Sequence, residues 1–330
     1  MMYTKLRKSP ESNLSRRDFL NRSSVALAAA FAGGFNRVGF PASGASAPHL
    51  DFPSEPRERL AVASWPFRAF IESPTNRDRD RNKPGMDLKQ FPAMVVERFG
   101  LHGIEPLGDH FASTQPAYLA EFREAIAKAG SHVVDLPCGG RRSFYDPDAA
   151  RRQQSVDDAK KWVDVAVAIG SPSIRTHIAG VHVVKPDVDR TAESLRQLAD
   201  YGAGKNVIVN LENDDLVTED AFFIVQVIEK VNHPWLHALP DFCNSMMSGN
   251  ADFNYRAMTA MFKHAYNISH MKDEEGDGAG KFYTIDVART FAIAKDSGYR
   301  GYFSMEWEGN GEPYAGTERL IDESLKNLGS

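Results

Sequence analysis

Residues 206–241 read NVIVNLENDDLVTEDAFFIVQVIEKVNHPWLHALPD and contain one strand–helix–strand unit. The apolar run at residues 206–212 is rich in β-branched side chains and predicts a buried strand. The apolar spacing at residues 219–231 predicts an amphipathic helix, and the run at residues 236–241 predicts the next strand. Strands that alternate with helices in this way are typical of a parallel sheet covered by helices.

The same alternation continues along the rest of the chain. Eight strands are predicted, at residues 60–64, 103–106, 132–136, 173–177, 206–212, 236–241, 267–271 and 302–306. Eight helices are predicted, at residues 88–99, 115–129, 147–169, 186–203, 219–231, 253–264, 285–297 and 316–328. Glycine is favoured just past a helix end. Five of the predicted helices are followed by one: Gly100, Gly130, Gly170, Gly204 and Gly298.

Eight strand–helix pairs in a chain of 330 residues predict a single α/β domain, a closed (β/α)8 TIM barrel over residues 58–330. The rival fold is an open doubly wound sheet, but no glycine-rich phosphate loop follows the first strand to support it. The longest irregular segment, residues 68–87, follows that strand on the face where barrel enzymes keep their active sites. We expect it to be a lid or, alternatively, a solvated loop.

The N-terminal segment differs from the predicted barrel. An Arg-Arg pair at residues 16–17 precedes Phe19, a weakly apolar run at residues 25–35 and small residues at 42–47. This order resembles a twin-arginine export signal. We therefore expect a signal peptide and flexible segment at residues 1–47 and a periplasmic or secreted mature protein. No run reaches the ~20 apolar residues of a membrane helix, so stable membrane anchoring is not expected.

Charge and cysteine content exclude several classes of protein. Residues 1–45 carry seven basic and two acidic side chains, so the whole-chain charge of −5 leaves the remainder at −10. An acidic body argues against binding to a nucleic-acid backbone. Two cysteines, Cys138 and Cys243, exclude a disulfide scaffold and a cysteine-rich zinc site. We expect both to be free, semi-buried thiols.

Acidic and imidazole side chains stand at the predicted ends of four consecutive strands. These residues are Glu212, Asp241, His270 and Glu306, and their separations of 29, 29 and 36 residues each span one strand–helix unit. Neighbouring strands lie ~4.8 Å apart, so the side chains can converge at the C-terminal face of the barrel. Such a donor set suits Mg²⁺ or Mn²⁺, and Co²⁺ or Zn²⁺ could enter. The alternative is that some of these carboxylates pair with lysines or cap helices.

Several motifs together resemble the sugar phosphate isomerase/epimerase superfamily, the xylose-isomerase-like barrels. They are Gly-Ile-Glu at 103–105, Leu-Glu-Asn at 211–213, Asp241, His-Met-Lys-Asp at 270–273 and the segment 298–306. The resemblance spans residues 58–328. It implies that Glu212, Asp241, His270 and Glu306 bind the metal and that Glu212 and Glu306 also form the catalytic acid/base pair. The sequence departs from the epimerases at Asn244, where they usually carry a substrate-binding histidine.

Other polar or aromatic residues at strand ends are candidates for substrate binding. They are His177, Arg175, Asn244, Lys272, Glu105 and Trp65. A structural histidine, an ion pair of Lys272 with Glu105, Asp273 or Glu306, and aromatic core packing of Trp65 are the alternatives. We expect Glu105 to orient a neighbour rather than to react.

The residues and the resemblance together favour a divalent-metal-dependent isomerase or epimerase. It would act on a small keto-sugar or related polyol by removing a proton next to a carbonyl. A lyase acting on 3-keto-glycosides and a non-catalytic sugar-binding barrel are the alternatives. A nuclease of the endonuclease IV type is opposed by the acidic body and the single histidine among the predicted ligands. The resemblance also allows a homo-oligomer.

Overall fold

The computed structural model describes residues 46–140, 142–277 and 279–329, so all but the last two residues of the predicted signal segment lie outside the described part. The strands are β1 (Leu60–Ala63), β2 (Gly103–Glu105), β3 (His132–Val133), β4 (Leu136–Cys138), β5 (Ser173–Thr176), β6 (Ile208–Glu212), β7 (Leu236–Leu239), β8 (Ile268–Met271), β9 (Glu274–Gly276), β10 (Phe282–Thr284) and β11 (Tyr302–Met305). The α-helices are α1 (Phe91–Phe99), α2 (Pro116–Ala129), α3 (Ala149–Ile169), α4 (Val188–Ala203), α5 (Ala221–Val231), α6 (Ala251–Phe262), α7 (Val287–Asp296) and α8 (Pro313–Leu328).

The parallel strands form two curved sheets that together make the barrel. One sheet has the order β3-β2-β1-β11-β8 and the other β4-β5-β6-β7. Strands β7 and β8 meet through isolated bridges, one of which pairs Asp241 with His270. On the opposite side β3 and β4 are consecutive segments that together occupy one strand position of the barrel wall. We call each such position a stave, and the described part of the chain forms eight of them. The predicted (β/α)8 barrel is confirmed.

Residues 132–136 were predicted to form one continuous strand, but the structure divides this stretch between β3 and β4. Val134 donates its N–H to the carbonyl of Ile104, whereas from Leu136 onward the chain pairs with β5. Between these two pairings Asp135 is fully buried and accepts hydrogen bonds from side chains of the opposite sheet. Pro137 has no N–H to extend a ladder. The stave is therefore divided between the two sheets.

Helix boundaries follow from capping side chains. Asp148, Asp187, Asp220 and Asp286 each accept a backbone N–H of the following turn, which is the usual role of an aspartate at a helix start. Each of these helices therefore begins two residues later than predicted. Gly204, predicted as a terminal glycine, has a right-handed backbone with φ −66°.

The N-terminal segment of the described chain lies across the N-terminal end of the barrel. The Trp235 indole N–H donates to the carbonyl of Ser46 over 2.6 Å, and the Tyr266 hydroxyl donates to that of Pro48 over 3.0 Å. Phe52 packs edge-on against Tyr266 with ring centroids 5.5 Å apart. These contacts fix the chain before β1 begins.

Two further features bear on the sequence predictions. The antiparallel hairpin of β9 and β10, which was not predicted, follows β8 at the C-terminal face. Segment 68–87 is bonded to itself and to the next loop, since Arg79 pairs with Glu72 and Ser73 donates to the carbonyl of Asp109. Both cysteines are free, as predicted, but fully rather than partly buried. Among the described helices, none is long and apolar enough to span a bilayer.

Candidate metal centre

Four predicted ligands meet at the C-terminal end of the barrel. Glu212 ends β6, Asp241 lies two residues past β7, His270 lies within β8, and Glu306 follows β11 directly. All four are buried, with at most 5% of their surface exposed. One ligand atom from each lies within 4.8 Å of one from every other. The predicted spacing thus corresponds to a single cluster of three carboxylates and one imidazole.

His270 has its two ring nitrogens in different surroundings. Nε2 lies 2.8 Å from Glu105 Oε1, whereas Nδ1 faces Glu212 Oε1 at 2.8 Å and Glu306 Oε2 at 3.3 Å. A carboxylate that accepts one ring N–H orients a ligating histidine and leaves the other nitrogen free to bind a metal. Without an ion, Glu105, Glu306 and Glu212 overcome burial and raise the pKa of His270 well above its usual value. The Nδ1 position can therefore hold a proton or face an ion.

The donor set fits a divalent cation. Asp241 Oδ1 accepts backbone N–H bonds from Cys243 and Asn244, but its buried Oδ2 has no hydrogen-bond partner among the described residues. Burial, together with Glu212 and Glu306, raises the pKa of Asp241 to about 8 although Lys272 opposes the rise. Buried carboxylates without compensation are costly. An ion coordinated by oxygen and imidazole would remove that cost.

Two cations flank the cluster on opposite sides. Arg175 Nε lies 3.0 Å from Glu212 Oε2, and Lys272 Nζ lies 3.0 Å from Glu306 Oε2. Burial alone would raise the pKa of Glu212, but Arg175 and His270 outweigh it and lower the pKa to about 2. Burial alone would also raise the pKa of Glu306, but His270 and Lys272 outweigh it and the pKa is lowered. Both glutamates are therefore held as carboxylates.

Lys272 has more acidic neighbours than predicted. Its Nζ lies 3.5 Å from Asp241 Oδ2, 3.1 Å from Glu275 and 3.7 Å from Glu308, and it donates to Asn244 Oδ1 over 3.1 Å. The alternative pairing of Lys272 with Glu306 is present. Its pairings with Glu105 and Asp273 are not among its contacts in the described part, where Glu105 binds His270 and Asp273 pairs with Arg319.

The remaining substrate candidates lie around this centre. Asn244 Nδ2 lies 3.4 Å from Glu212 Oε1, within the cluster. The Trp65 indole N–H donates to Glu308, and the Arg68 guanidinium lies over the Trp65 ring at 4.3 Å. Trp65 is thus half-buried at the edge of the site, joined to it through Glu308.

Separate from the four predicted metal ligands, His177 forms a second group with the acidic residues Asp214 and Glu219. We call this the second acidic group. Its Nδ1 is 3.1 Å from Glu219 Oε2 and 3.6 Å from Asp214 Oδ2, and its Nε2 contacts Arg175 Nη1. Burial and Arg175 lower the pKa of His177, Glu219 and Asp214 raise it, and the net change is upward.

Sequence reasoning missed Asp214, Glu219 and Glu275. Glu275 comes to the site on the unpredicted hairpin. Glu219 lies just before α5, where an acidic residue resembles ordinary helix capping. A signal for Asp214 was available, since it follows Glu212 by two residues on the catalytic face.

Solved structures with the same fold include several sugar-binding proteins. L-ribulose 3-epimerase is 17% identical, with a TM-score of 0.63 over 82% of this chain and 95% of that chain. D-allulose 3-epimerase from Methylomonas sp. in complex with D-allulose is 15% identical, with a TM-score of 0.61 over 84% and 97%. A xylose isomerase-like TIM barrel protein from Mycobacterium smegmatis in complex with magnesium is 18% identical, with a TM-score of 0.58 over 82% and 97%.

The comparison of sequences gives the family. No curated protein matches the chain significantly. The model of the xylose isomerase-like TIM barrel family matches residues 94–329, a range that includes all four residues of the cluster. The protein belongs to the xylose isomerase-like TIM barrel family.

Proposed function

We propose that the protein is a divalent-metal-dependent isomerase or epimerase that removes a proton next to the carbonyl of a keto-sugar or related polyol. The observation that carries the proposal is the buried group Glu212, Asp241, His270 and Glu306, in which Asp241 Oδ2 has no hydrogen bond within the described part of the chain. These four residues would hold the ion. Mn²⁺ or Mg²⁺ suits the donor set best, and the solved relative with magnesium supports this choice.

The bound ion would polarise the substrate carbonyl and stabilise negative charge on its oxygen. Glu212 and Glu306 are the candidate bases, because both are held ionised and stand in the cluster. Lys272 carries a buried ammonium that can donate to a substrate oxygen. Asn244 can hydrogen-bond a hydroxyl through its amide but cannot exchange a proton. Two carboxylates at one centre allow removal of a proton on one face and its return on another.

The shared first step is tested by hydrogen–deuterium exchange. Keto-hexoses and keto-pentoses are incubated with the protein in D₂O and Mn²⁺, and uptake of deuterium at carbon is followed by NMR. We expect uptake in the wild type and a loss of about 10²- to 10⁴-fold in Glu306→Gln, the range for a catalytic base. Glu318→Gln, which alters an exposed glutamate on α8, is the matched control. Absence of uptake across the panel, with the ion bound, contradicts the proposal.

A second candidate is elimination from a 3-keto-glycoside, which begins with the same proton removal. Asn244 favours it, because the position lacks the histidine usual in the epimerases while lying 3.4 Å from Glu212. Release of a chromogenic aglycone from a 3-keto-glycoside identifies the lyase, whereas interconversion of free keto-sugars identifies the epimerase. Binding of sugar without either reaction identifies a non-catalytic barrel.

We also propose export by the twin-arginine pathway to the periplasm or beyond. The support is the order of residues 16–47, and folded export suits a protein that carries an ion. Replacing Arg16 and Arg17 by lysine is expected to retain the full-length chain inside the cell, measured by fractionation. Unchanged export of that variant contradicts this route.

A further inference from the structure

A chain of contacts runs from the second acidic group to the metal centre. Glu219 Oε1 accepts the backbone N–H of Ile178 at 2.6 Å, and Glu219 Oε2 faces His177 Nδ1 at 3.1 Å. Arg175 Nη1 lies closest to His177 Nε2 and is 3.2 Å from Nδ1. Arg175 Nε in turn lies 3.0 Å from Glu212 Oε2. Two adjacent strands, β5 and β6, and the segments that directly follow them supply all of these residues.

The chemistry of these groups assigns the proton on His177. A guanidinium has donors and no acceptor, so Nε2, the His177 nitrogen nearest to Arg175, accepts and is unprotonated. The proton then lies on Nδ1, which donates to Glu219. Glu219 and Asp214 favour a charged imidazole, but a second proton would point at the guanidinium. The contact geometry therefore gives a neutral ring with both nitrogens in use.

Arg175 and His270 contact different oxygens of Glu212. Glu212 Oε2 is the oxygen next to Arg175, whereas Oε1 faces His270 Nδ1 at 2.8 Å. Only 4% of Arg175 is exposed, so its guanidinium has little solvent to replace a lost partner. Anything that holds Arg175 in place therefore also holds the Glu212 carboxylate between Arg175 and His270.

We infer that Glu219 and His177 form a positioning relay that fixes Arg175 and, through it, the orientation of Glu212. The inference rests on the proposed function and adds two residues to it. In this relay His177 is a donor and acceptor rather than a substrate acid, although 28% of its side chain is exposed. Asp214 lies beside the relay at 3.6 Å from Nδ1.

The test compares His177→Gln with His177→Leu. Glutamine can accept from Arg175 and donate to Glu219, as neutral histidine does, but it cannot transfer a proton in the way imidazole can. Leucine can do neither. We expect His177→Leu to lose about 10- to 100-fold in Mn²⁺ affinity and in deuterium exchange, the range for residues that orient a ligand. His177→Gln is expected to recover most of both losses.

Glu219→Gln gives an independent test that does not remove the histidine. Because the two residues act in series, the double variant His177→Leu/Glu219→Gln is expected to lose no more Mn²⁺ affinity than His177→Leu alone. His264→Gln is the matched control, since His264 faces Glu229 at 3.7 Å with 25% of its side chain exposed. Thermal melting of each variant shows that it is folded.

Three results overturn the relay. His177→Gln as impaired as His177→Leu makes the imidazole a proton donor. If a folded His177→Leu variant keeps its Mn²⁺ affinity and its deuterium exchange, His177 has no role in positioning Arg175. A second equivalent of Mn²⁺ that disappears in Glu219→Gln makes the group an ion site. Since Mn²⁺ affinity is measured by calorimetry without substrate, a wild type that shows no exchange defeats the proposed function but leaves this test intact.

Discussion

Two layers of buried polar side chains lie inside the barrel, and they differ in charge. The lower layer is made of one carboxyl, one hydroxyl and two amides: Asp135, Ser173, Asn210 and Asn267. Its members bond one another, as when Asn267 donates to Ser173 over 2.7 Å. The upper layer is the metal centre with its three carboxylates, and the glutamates Glu105, Glu275 and Glu308 lie next to it. Among the described residues, only the imidazole and the two flanking cations are present to balance these six acidic groups.

This difference in charge indicates that the two layers have different roles. A hydroxyl–amide network can be near neutral, and it holds the staves together without a ligand. An excess of buried carboxylates becomes neutral only by taking up protons, as the raised pKa of Asp241 indicates, or by binding a cation. We therefore assign the lower layer to the fold, and the upper layer is the site that we propose for the ion and the substrate.

The largest expected effect comes from removing one charge in the upper layer. Asp241→Asn should weaken Mn²⁺ binding by more than about 100-fold, because even residues that only orient a ligand are worth about 10- to 100-fold. Asn210→Ala in the lower layer should cost ~1–3 kcal/mol of stability by stranding its partners while leaving Mn²⁺ affinity within a few fold. Calorimetric titration and urea unfolding measure the two quantities. Equal losses of affinity would erase the distinction between the layers.

Addition of Mn²⁺ should stabilise the folded protein through the upper layer alone. At 100 times its dissociation constant the ion adds about 2.7 kcal/mol. For a domain of this size, at about 2.1 cal/mol/K of unfolding entropy per residue, that corresponds to a rise in melting temperature of roughly 4–5 °C. EDTA should reverse the rise, Asn210→Ala should retain it, and His270→Ala should lose it. A rise that persists in His270→Ala would place the ion elsewhere.

A smaller effect, dependent on pH, should come from Asp135. Burial and the nearby Glu105 raise the pKa of Asp135 to about 7 in the folded protein, against about 3.9 in the unfolded chain. The protonated carboxyl is favoured by folding, so its contribution is complete below pH ~4 and is lost as the pH rises through 7. Asp135→Asn should therefore gain stability relative to the wild type as the pH rises from about 4 to about 7, with a constant gain above pH ~7 and little gain below pH ~4. Urea unfolding across this range checks the sign, and a gain that grows toward acid would contradict it.

The smallest effect should come from the edge of the upper layer. Trp65→Phe keeps the ring but removes the N–H that Glu308 accepts, while Lys272 still lies 3.7 Å from Glu308. One such bond is worth about 0.5–1.5 kcal/mol, so we expect less than about a tenfold change, in KM rather than kcat. Steady-state kinetics on the substrate found in the exchange panel measures it. A loss of kcat comparable to Glu306→Gln would move Trp65 into the reacting centre.

The sequence could predict the convergence of the four ligands because each strand–helix unit returns the chain to the same end of the barrel. It could not predict local breaks. The strand predicted from residue 206 begins at Ile208 because Asn206 takes a left-handed backbone, φ 58°, after α4. Similarly, the short hairpin that brings Glu275 to Lys272 has no strong apolar alternation to reveal it. Contacts between loops, such as His177 with Glu219, depend on tertiary packing.

The ligands are divided equally between the two sheets. Glu212 ends a strand of the four-stranded sheet and Asp241 lies just past another, whereas His270 lies in a strand of the five-stranded sheet and Glu306 directly follows one. They meet at the seam where Asp241 and His270 form an isolated bridge instead of a continuous ladder. An ion bound there would link the two sheets at a position where few backbone hydrogen bonds join them. Binding of the ion and closure of the barrel wall would then be coupled.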